Sequence, residues 1–280
     1  MRDLAELFVR EMPLLEELDA KQLGGVWQRA EQIIDSEMLD NFELQDFDLP
    51  SLRQYQALLE ARSGRSYGAL DDESFLKSVG LIKEDRSSSQ RQWKYTKAAL
   101  LLFGKYDSIR YVFPSFFIDF ISDPDHSDQG RIYTSSESGC PDNLFSFYMQ
   151  VKQWLNCHVL NSANRADQAL VLHEALVNFL VHADYSSYLS SKITRKGSVF
   201  DFCNPGSMQI SVSDFIKGGK SLPRNPLIFS ACMRARLGER SGNGGQRIYQ
   251  TLAKLKAPQP KLLTDKDSTE LIIDLQSENN

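Results

Sequence analysis

The stretch ALVLHEALVNFLVHADY, Ala169 to Tyr185, is apolar on nearly every side of a helix and polar at only a few fixed places. At helical spacing Glu174, Asn178 and His182 fall at i, i+4 and i+8, so they share one face. A carboxylate and a carboxamide one turn apart can serve a hydrated cation together. The amide oxygen suits Mg²⁺, which takes hard oxygen ligands and keeps several waters. The carboxylate can polarise one of those waters toward a phosphorus atom. Asp184 and Tyr185 close the segment. The same spacing also suits an ordinary amphipathic helix with a solvated polar stripe. Asn178 counts against that alternative, because asparagine is a poor helix former.

Downstream, Ser198–Ser207 (SVFDFCNPGS) reads as a strand running into a turn, and Ser211–Ile216 as a short helix ended by Gly218 and Gly219. Pro223-Arg-Asn-Pro226 is a stiff turn into a helix over Leu227–Arg236. Gly242, Gly244 and Gly245 then precede an apolar-periodic helix through Ile248, Leu252 and Leu255. A glycine-rich turn feeding a helix exposes backbone N–H groups and the positive dipole end, which makes it a phosphate cradle. Read alone, it is equally a flexible surface loop. Residues 261–275 close the chain as a hairpin, while the Ser- and Lys-rich segment between Tyr185 and Val199 fits no element.

Upstream, residues 1–35 read as helical and 36–50 as an acidic connector. Further helices are expected at Ser51–Arg62, from Asp71 to Val79, from Thr96 to Gly104 and over Leu144–Leu160. Lys83–Gln90 reads as an exposed turn, Arg110–Ile121 as an aromatic strand with a bulge at Pro114, and Arg131–Thr134 as a short strand. Helices, then strands, then a long helix make an α+β chain rather than alternating βαβ units. The expected division is a helical segment 1–45, a central α+β region 46–163, and a C-terminal helix-on-sheet sandwich 164–280.

With 280 residues, 41% of them hydrophobic and 25% charged, the composition is that of a soluble globular protein. No apolar run approaches a membrane span, and the acid-rich N-terminus is neither a signal nor a transit peptide. Four dispersed cysteines without CxxC spacing read as free thiols in a reducing cytoplasm. The net charge of −5 is no sign of a general nucleic-acid binder, but its distribution is uneven. Residues 1–60 balance to −9 and residues 191–261 to +10, which places any anionic ligand in the C-terminal half.

Taken in order, EALVNFLVHADY (174–185), FCNPG (202–206), GGKSLPRNP (218–226) and GERSGNGGQRI (238–248) resemble the RecG-like C-terminal domain. That domain is a divergent branch of the GHKL nucleotide-binding fold. Segments from Leu49 to Leu155 resemble the central region of the same bacterial proteins, so the likeness covers roughly residues 45–275. The resemblance implies a mixed N-terminal α/β region followed by a GHKL-like sandwich that binds ATP with Mg²⁺. It makes Asn178 the Mg²⁺ ligand and Glu174 the general base, with His182 and Asp184 shaping the pocket. Asn204 and Gly206 stand where the fold places its adenine-reading Asp and following Gly. Gly242, Gly244 and Gly245 would hold phosphates, and Gly218 and Gly219 would lie in the lid. Asn204 departs from the expected Asp and accepts a hydrogen bond without charge assistance. Family members usually begin with a Schlafen/AlbA-type DNA-binding domain, of which residues 1–45 would be a remnant or linker. DNA contact would then run through such a domain or through the basic region 191–261.

Three other patterns fail. Gly218-Gly-Lys-Ser221 lacks the first P-loop glycine, since position 214 is Asp214, so there is no P-loop helicase motor. His173-Glu174 is not an HExxH zinc site, because position 177 is Val177. Cys157 and His158 on an apolar helix read as core packing rather than a catalytic pair, as do the aromatics between Tyr111 and Phe120. The expected function is therefore a cytoplasmic, homo-oligomeric ATP–Mg-binding regulator tied to DNA binding or transcription control, with slow hydrolysis at most. The alternative is a degenerate GHKL scaffold that mediates dimerisation or DNA or protein contacts without nucleotide.

Overall fold

The computed structural model describes residues 33–87, 91–123, 130–159, 164–238 and 242–276. Most of the expected helical segment 1–35 lies outside them. The chain divides into the units Met1–Ile34 and Asp35–Asn280, and all the helices and strands described belong to the second.

The first elements are α1 (Leu49–Ser63) and α2 (Asp72–Ser78), then a hairpin of β1 (Ile82–Asp85) and β2 (Gln92–Tyr95). Next come α3 (Lys97–Phe103), α4 (Tyr106–Val112), β3 (Ile118–Ser122), β4 (Arg131–Tyr133) and α5 (Leu144–His158). The second half runs α6 (Arg165–His182), β5 (Ser191–Lys196), β6 (Val199–Pro205), α7 (Val212–Lys217), α8 (Pro226–Arg234), α9 (Gly244–Lys254), β7 (Lys261–Thr264) and β8 (Ser268–Asp274). Several starts follow from side-chain caps. Asp71 accepts from the Ser74 N–H, Thr96 from Ala99, Asn143 from Ser146 and Ser211 from Asp214.

Six strands form one sheet in the order β4-β3-β5-β6-β8-β7, with β3 and β5 parallel and the other neighbours antiparallel. A row of paired residues crosses every strand on one face: Ile132, Phe120, Ile193, Phe202, Leu271 and Leu262. Phe120, Ile193, Phe202 and Leu271 of that row are buried. Alternate positions such as Lys192 and Asp201 fall on the other face, as strand geometry requires. Helix α6 covers the apolar face, with Phe179 edge-on to Phe202 at 6.2 Å. Nine of its side chains are buried, from Val171 to Val181, which is why it is apolar nearly all round. The α+β class and the C-terminal sheet-and-helix arrangement are as expected. The sheet nevertheless runs across the division drawn near residue 163, because β3 and β4 precede it and β5 follows.

Four readings of the sequence need correction. The strand over Arg110–Ile121 begins only at Ile118, and residues 106–112 form α4. Ile109 is the only buried residue within α4, so the helix shows no apolar stripe and the strand-like aromatic composition hides it. Lys83–Gln90 is not simply a turn, because Ile82–Asp85 pairs with Gln92–Tyr95. Lys94 braces that hairpin, with Asp40 and Asp85 at 2.6 and 2.7 Å. The unplaced segment after Tyr185 contains β5, whose polar residues alternate about the buried Ile193. Cys157 and His158 are exposed, and the His158 ring stacks on Trp154 at 4.6 Å.

Helix α8 is capped from far away in sequence. Asp35, fully buried, accepts through Oδ2 from the N–H groups of Leu227 at 2.8 Å and Ile228 at 3.0 Å. Its Oδ1 has no hydrogen-bond partner, and the charge of Lys83 compensates it only in small part. Burial outweighs these contacts and pushes its carboxyl up to about 6. The folded state therefore holds this proton more tightly than the unfolded chain. Asp35 contributes stability below its ordinary value of 3.8 and loses it as pH rises through 6. The span corresponds to about 3 kcal/mol. Asp35→Asn keeps an acceptor for both N–H groups, so urea unfolding at pH 4.5 and pH 7.5 should show a flatter pH slope than the wild type. An unchanged slope would contradict the assignment.

Candidate functional site

The last four carbonyls of any α-helix lack intrahelical partners. In α6 those carbonyls belong to Phe179, Leu180, Val181 and His182, and each accepts from a side chain of one of three motifs. Asn204 Nδ2 donates to Phe179 O at 2.7 Å, and the Tyr185 hydroxyl to Leu180 O at 2.6 Å. Asn225 Nδ2 donates to Val181 O at 3.0 Å and Ala183 O at 2.8 Å, and Arg224 Nε to His182 O at 3.2 Å. Tyr185, Asn204 and Asn225 are buried. The FCNPG, PRNP and HADY motifs thus converge on one helix end.

The polar face of α6 looks into a cavity of about 120 Å³. Glu174, Asn178 and His182 line it from the helix, Asn204 from β6, and Gly242, Gly244 and Gly245 from the glycine-rich turn. Asn204 must point its amide nitrogen at Phe179 O, so its Oδ1 is left over, buried and without a hydrogen-bond partner. Asn178 Nδ2 is likewise buried and unpartnered. Such groups are costly to leave bare, at about 1–3 kcal/mol each, so they are natural places for a ligand. His182 stays neutral, its imidazole pushed down to about 4 by burial and by the nearby Arg224.

Glu174 and Asn178 meet the start of α9. A Cβ on Gly244 would lie 2.9 Å from Glu174 Oε2 and 3.5 Å from Asn178 Nδ2. Asn243 at the N-cap makes no capping hydrogen bond to the helix. Its Oδ1 accepts instead from the Gly219 N–H at 2.9 Å. Gly242 has φ +66°, and a Cβ there would lie 2.7 Å from the Lys220 carbonyl carbon. A Cβ on Gly245 would collide with the Phe215 carbonyl oxygen. Residues 212–220 therefore form a strap that lies directly on the glycine turn.

Not every expected residue reaches the cavity. Asp184, Gly206, Gly218 and Gly219 are not among its lining. Asp184 orders its own turn by accepting from Ser186 N–H and Oγ, and faces Arg224 at 3.8 Å. Gly206 leaves room for Arg224, whose Nη2 would lie 2.8 Å from a Cβ there. Gly218 and Gly219 touch Asn243 in the strap. Three residues of the site had no role assigned from sequence. Arg247 Nη1 pairs with Glu174 Oε1 at 2.9 Å, and Lys220 lines the cavity. Tyr185 does not fill the cavity, because its hydroxyl is turned to Leu180 O. Arg247 lies one turn past Gly244, so the helical periodicity after the glycines could have flagged it. Nothing local to Lys220 or Tyr185 tells which way either side chain turns. Glu239–Ser241 of the last motif lie outside the described residues.

Comparison with known proteins finds family models over two stretches of the chain. Residues 200–273 match the family model described as putative ATP-dependent DNA helicase recG C-terminal. That span runs from β6 to β8 and includes Asn204, the strap and the glycine turn. Residues 26–119 match a domain of unknown function, DUF8451, which overlaps both the segment 1–45 read as a remnant or linker and the central region. Among solved structures, the DIP2311 protein of Corynebacterium diphtheriae is 18% identical with a TM-score of 0.63, which shows a shared fold. The match covers 89% of this chain and 48% of that one, so this chain spans about half its length. The Acinetobacter baumannii histidine kinase AdeS is 12% identical over 92% of this chain and 95% of that one, with a TM-score of 0.28, too slight a likeness to describe a common fold. No curated protein matches the chain. Among the described residues no helix is long and apolar enough to cross a membrane. The four cysteines form no disulfide.

Asparagine at 204 follows from the helix end it serves. An aspartate there would set a carboxylate against Phe179 O. Asn204→Asp should lower stability at pH 7 by about 1–3 kcal/mol, read by urea unfolding. The deficit should shrink at pH 4, where a protonated carboxyl can donate in the amide's place. Equal stability at pH 7 would mean that this bond does not hold the helix end.

Proposed function

We propose that the C-terminal domain binds ATP with Mg²⁺ and that the chain is a nucleotide-responsive regulator. What carries this reading is the buried Oδ1 of Asn204, an acceptor with no partner at one side of a cavity whose other side is a glycine turn. An exocyclic amino group of adenine would satisfy it, and the carbonyl that guanine presents there would not. The unpartnered amide of Asn178 fits the phosphate end. Its nitrogen would donate to a phosphate oxygen, or with the amide turned over its oxygen would ligate Mg²⁺. Among the described residues no cluster of three or more His, Cys, Asp or Glu side chains could hold a metal by itself, so the cation would come with its nucleotide. Bound ATP–Mg²⁺ would supply the electrophilic phosphorus and the neutralising cation.

Glu174 is the candidate general base, but its carboxylate lies against Arg247 at 2.9 Å. A carboxylate held by a guanidinium takes a proton from water poorly. The arrangement therefore favours binding with slow turnover, as in a sensor, over rapid ATP consumption. The positive balance of residues 191–261 supports a nucleic-acid or other anionic partner for the full regulator, and cytoplasmic placement and a homo-oligomer complete the proposal.

Isothermal titration with ATP in the presence of Mg²⁺ should give binding, and GTP should bind at least about tenfold more weakly. Asn178→Ala should abolish the Mg²⁺-dependent part, whereas Glu174→Gln should spare binding and remove any phosphate release. No heat with millimolar ATP would sink the reading and leave the degenerate scaffold in its place.

A further inference from the structure

Only two charged side chains line the cavity among the described residues: Glu174 and Lys220. Glu174 already faces Arg247, so Lys220 is the cation that the cavity itself offers to an anion. Its position is fixed more tightly than its exposure suggests. Its backbone lies on Gly242, and the preceding Gly219 N–H is held by Asn243 Oδ1 at 2.9 Å. Asn243 and Gly242 immediately precede α9, whose first residue Gly244 touches Glu174 and Asn178. An anion seated at that helix start therefore lies within reach of the Lys220 side chain. In the structure its ammonium is 3.0 Å from Asp214 Oδ2, in the same strap, and the side chain is 64% exposed. An exposed ion pair of this kind is worth little, about 0–1 kcal/mol, and is readily exchanged for a stronger partner. A polyphosphate is such a partner, because it offers several charged acceptors to the three donors of one ammonium.

We propose that Lys220 is the side chain that reads the charge of the ligand's terminal phosphates, leaving Asp214 to do so and tying the strap to the bound anion. The inference deepens the nucleotide reading and rests on it for the identity of the ligand. It makes the strap sensitive to phosphate number, so the same site would discriminate tri- from diphosphate. It also gives the otherwise uncommitted lysine of Gly218-Gly-Lys-Ser221 a phosphate role without a P-loop.

The test is titration of the wild type and of Lys220→Met with adenosine, ADP and ATP, each with Mg²⁺, and with inorganic tripolyphosphate. Lys220→Met should weaken ATP and tripolyphosphate by about tenfold, ADP by less, and adenosine by less than about twofold. Lys220→Arg should restore most of the ATP affinity, and Asp214→Asn, which releases the lysine, should tighten ATP. Unchanged ATP and tripolyphosphate affinities in Lys220→Met, or an equal loss for adenosine, would overturn the proposal. If tripolyphosphate binds through Lys220 and ATP binds no more tightly than tripolyphosphate, the nucleotide reading fails and the lysine assignment stands. If the wild type binds none of the four, both fail.

Discussion

The C-terminal end of α6 is the point on which the site depends. Four backbone carbonyls end there, three of them in buried hydrogen bonds and that of His182 in a half-buried one. Each would cost about 1–3 kcal/mol if left bare. Tyr185, Asn204, Arg224 and Asn225 arrive from three separate segments to satisfy them. Because these bonds are specific in direction, they orient β6, the turn after it and the start of α8 around one helix. The cavity is the space those segments leave beside the helix's polar face.

This changes what the motifs mean. Residues quoted side by side in a motif divide here between holding the frame and facing the cavity. In FCNPG, Asn204 does both, with its nitrogen spent on Phe179 O and its oxygen turned inward. In HADY, His182 faces the cavity, while Asp184 and Tyr185 order the turn and the helix end. In PRNP, the Arg224 and Asn225 side chains are structural. A motif recurs in sequence for either reason, and spacing alone does not separate them.

The long helices, their caps and the closing hairpin were legible in the sequence because each rests on a local signal. Thr96, Asn143 and Ser211 cap as their residue types require, and the Lys261–Leu275 hairpin shows its alternation. Glu174 and Asn178 share a helix face at the spacing the sequence shows, whereas their meeting with Gly244 was implied only by the family resemblance. What could not be read depends on distant partners. β5 is a strand because β3 and β6 flank it, although only Ile193 of its six residues is a large apolar one. The charged segment before Arg91 joins a hairpin whose strands Lys94 ties together through Asp85, while Asp40 upstream holds the same ammonium. The cap on α8 comes from Asp35, 192 positions away. The Arg247 ion pair appears only once α9 is laid against α6.

The parallel pairing of β3 with β5 has an implication for how such a domain can be shared among proteins. Two of the six strands come from before α5, and cutting between the halves would strip β5 of a neighbour and bare a row of unpaired backbone groups along its edge. The exchangeable piece is therefore larger than the span of the motifs. A gene fusion that carried only residues 164–276 would deliver an open sheet edge prone to pairing with other chains. Any natural shuffling of this fold must take the upstream strands with it, or supply substitutes for them from the new host.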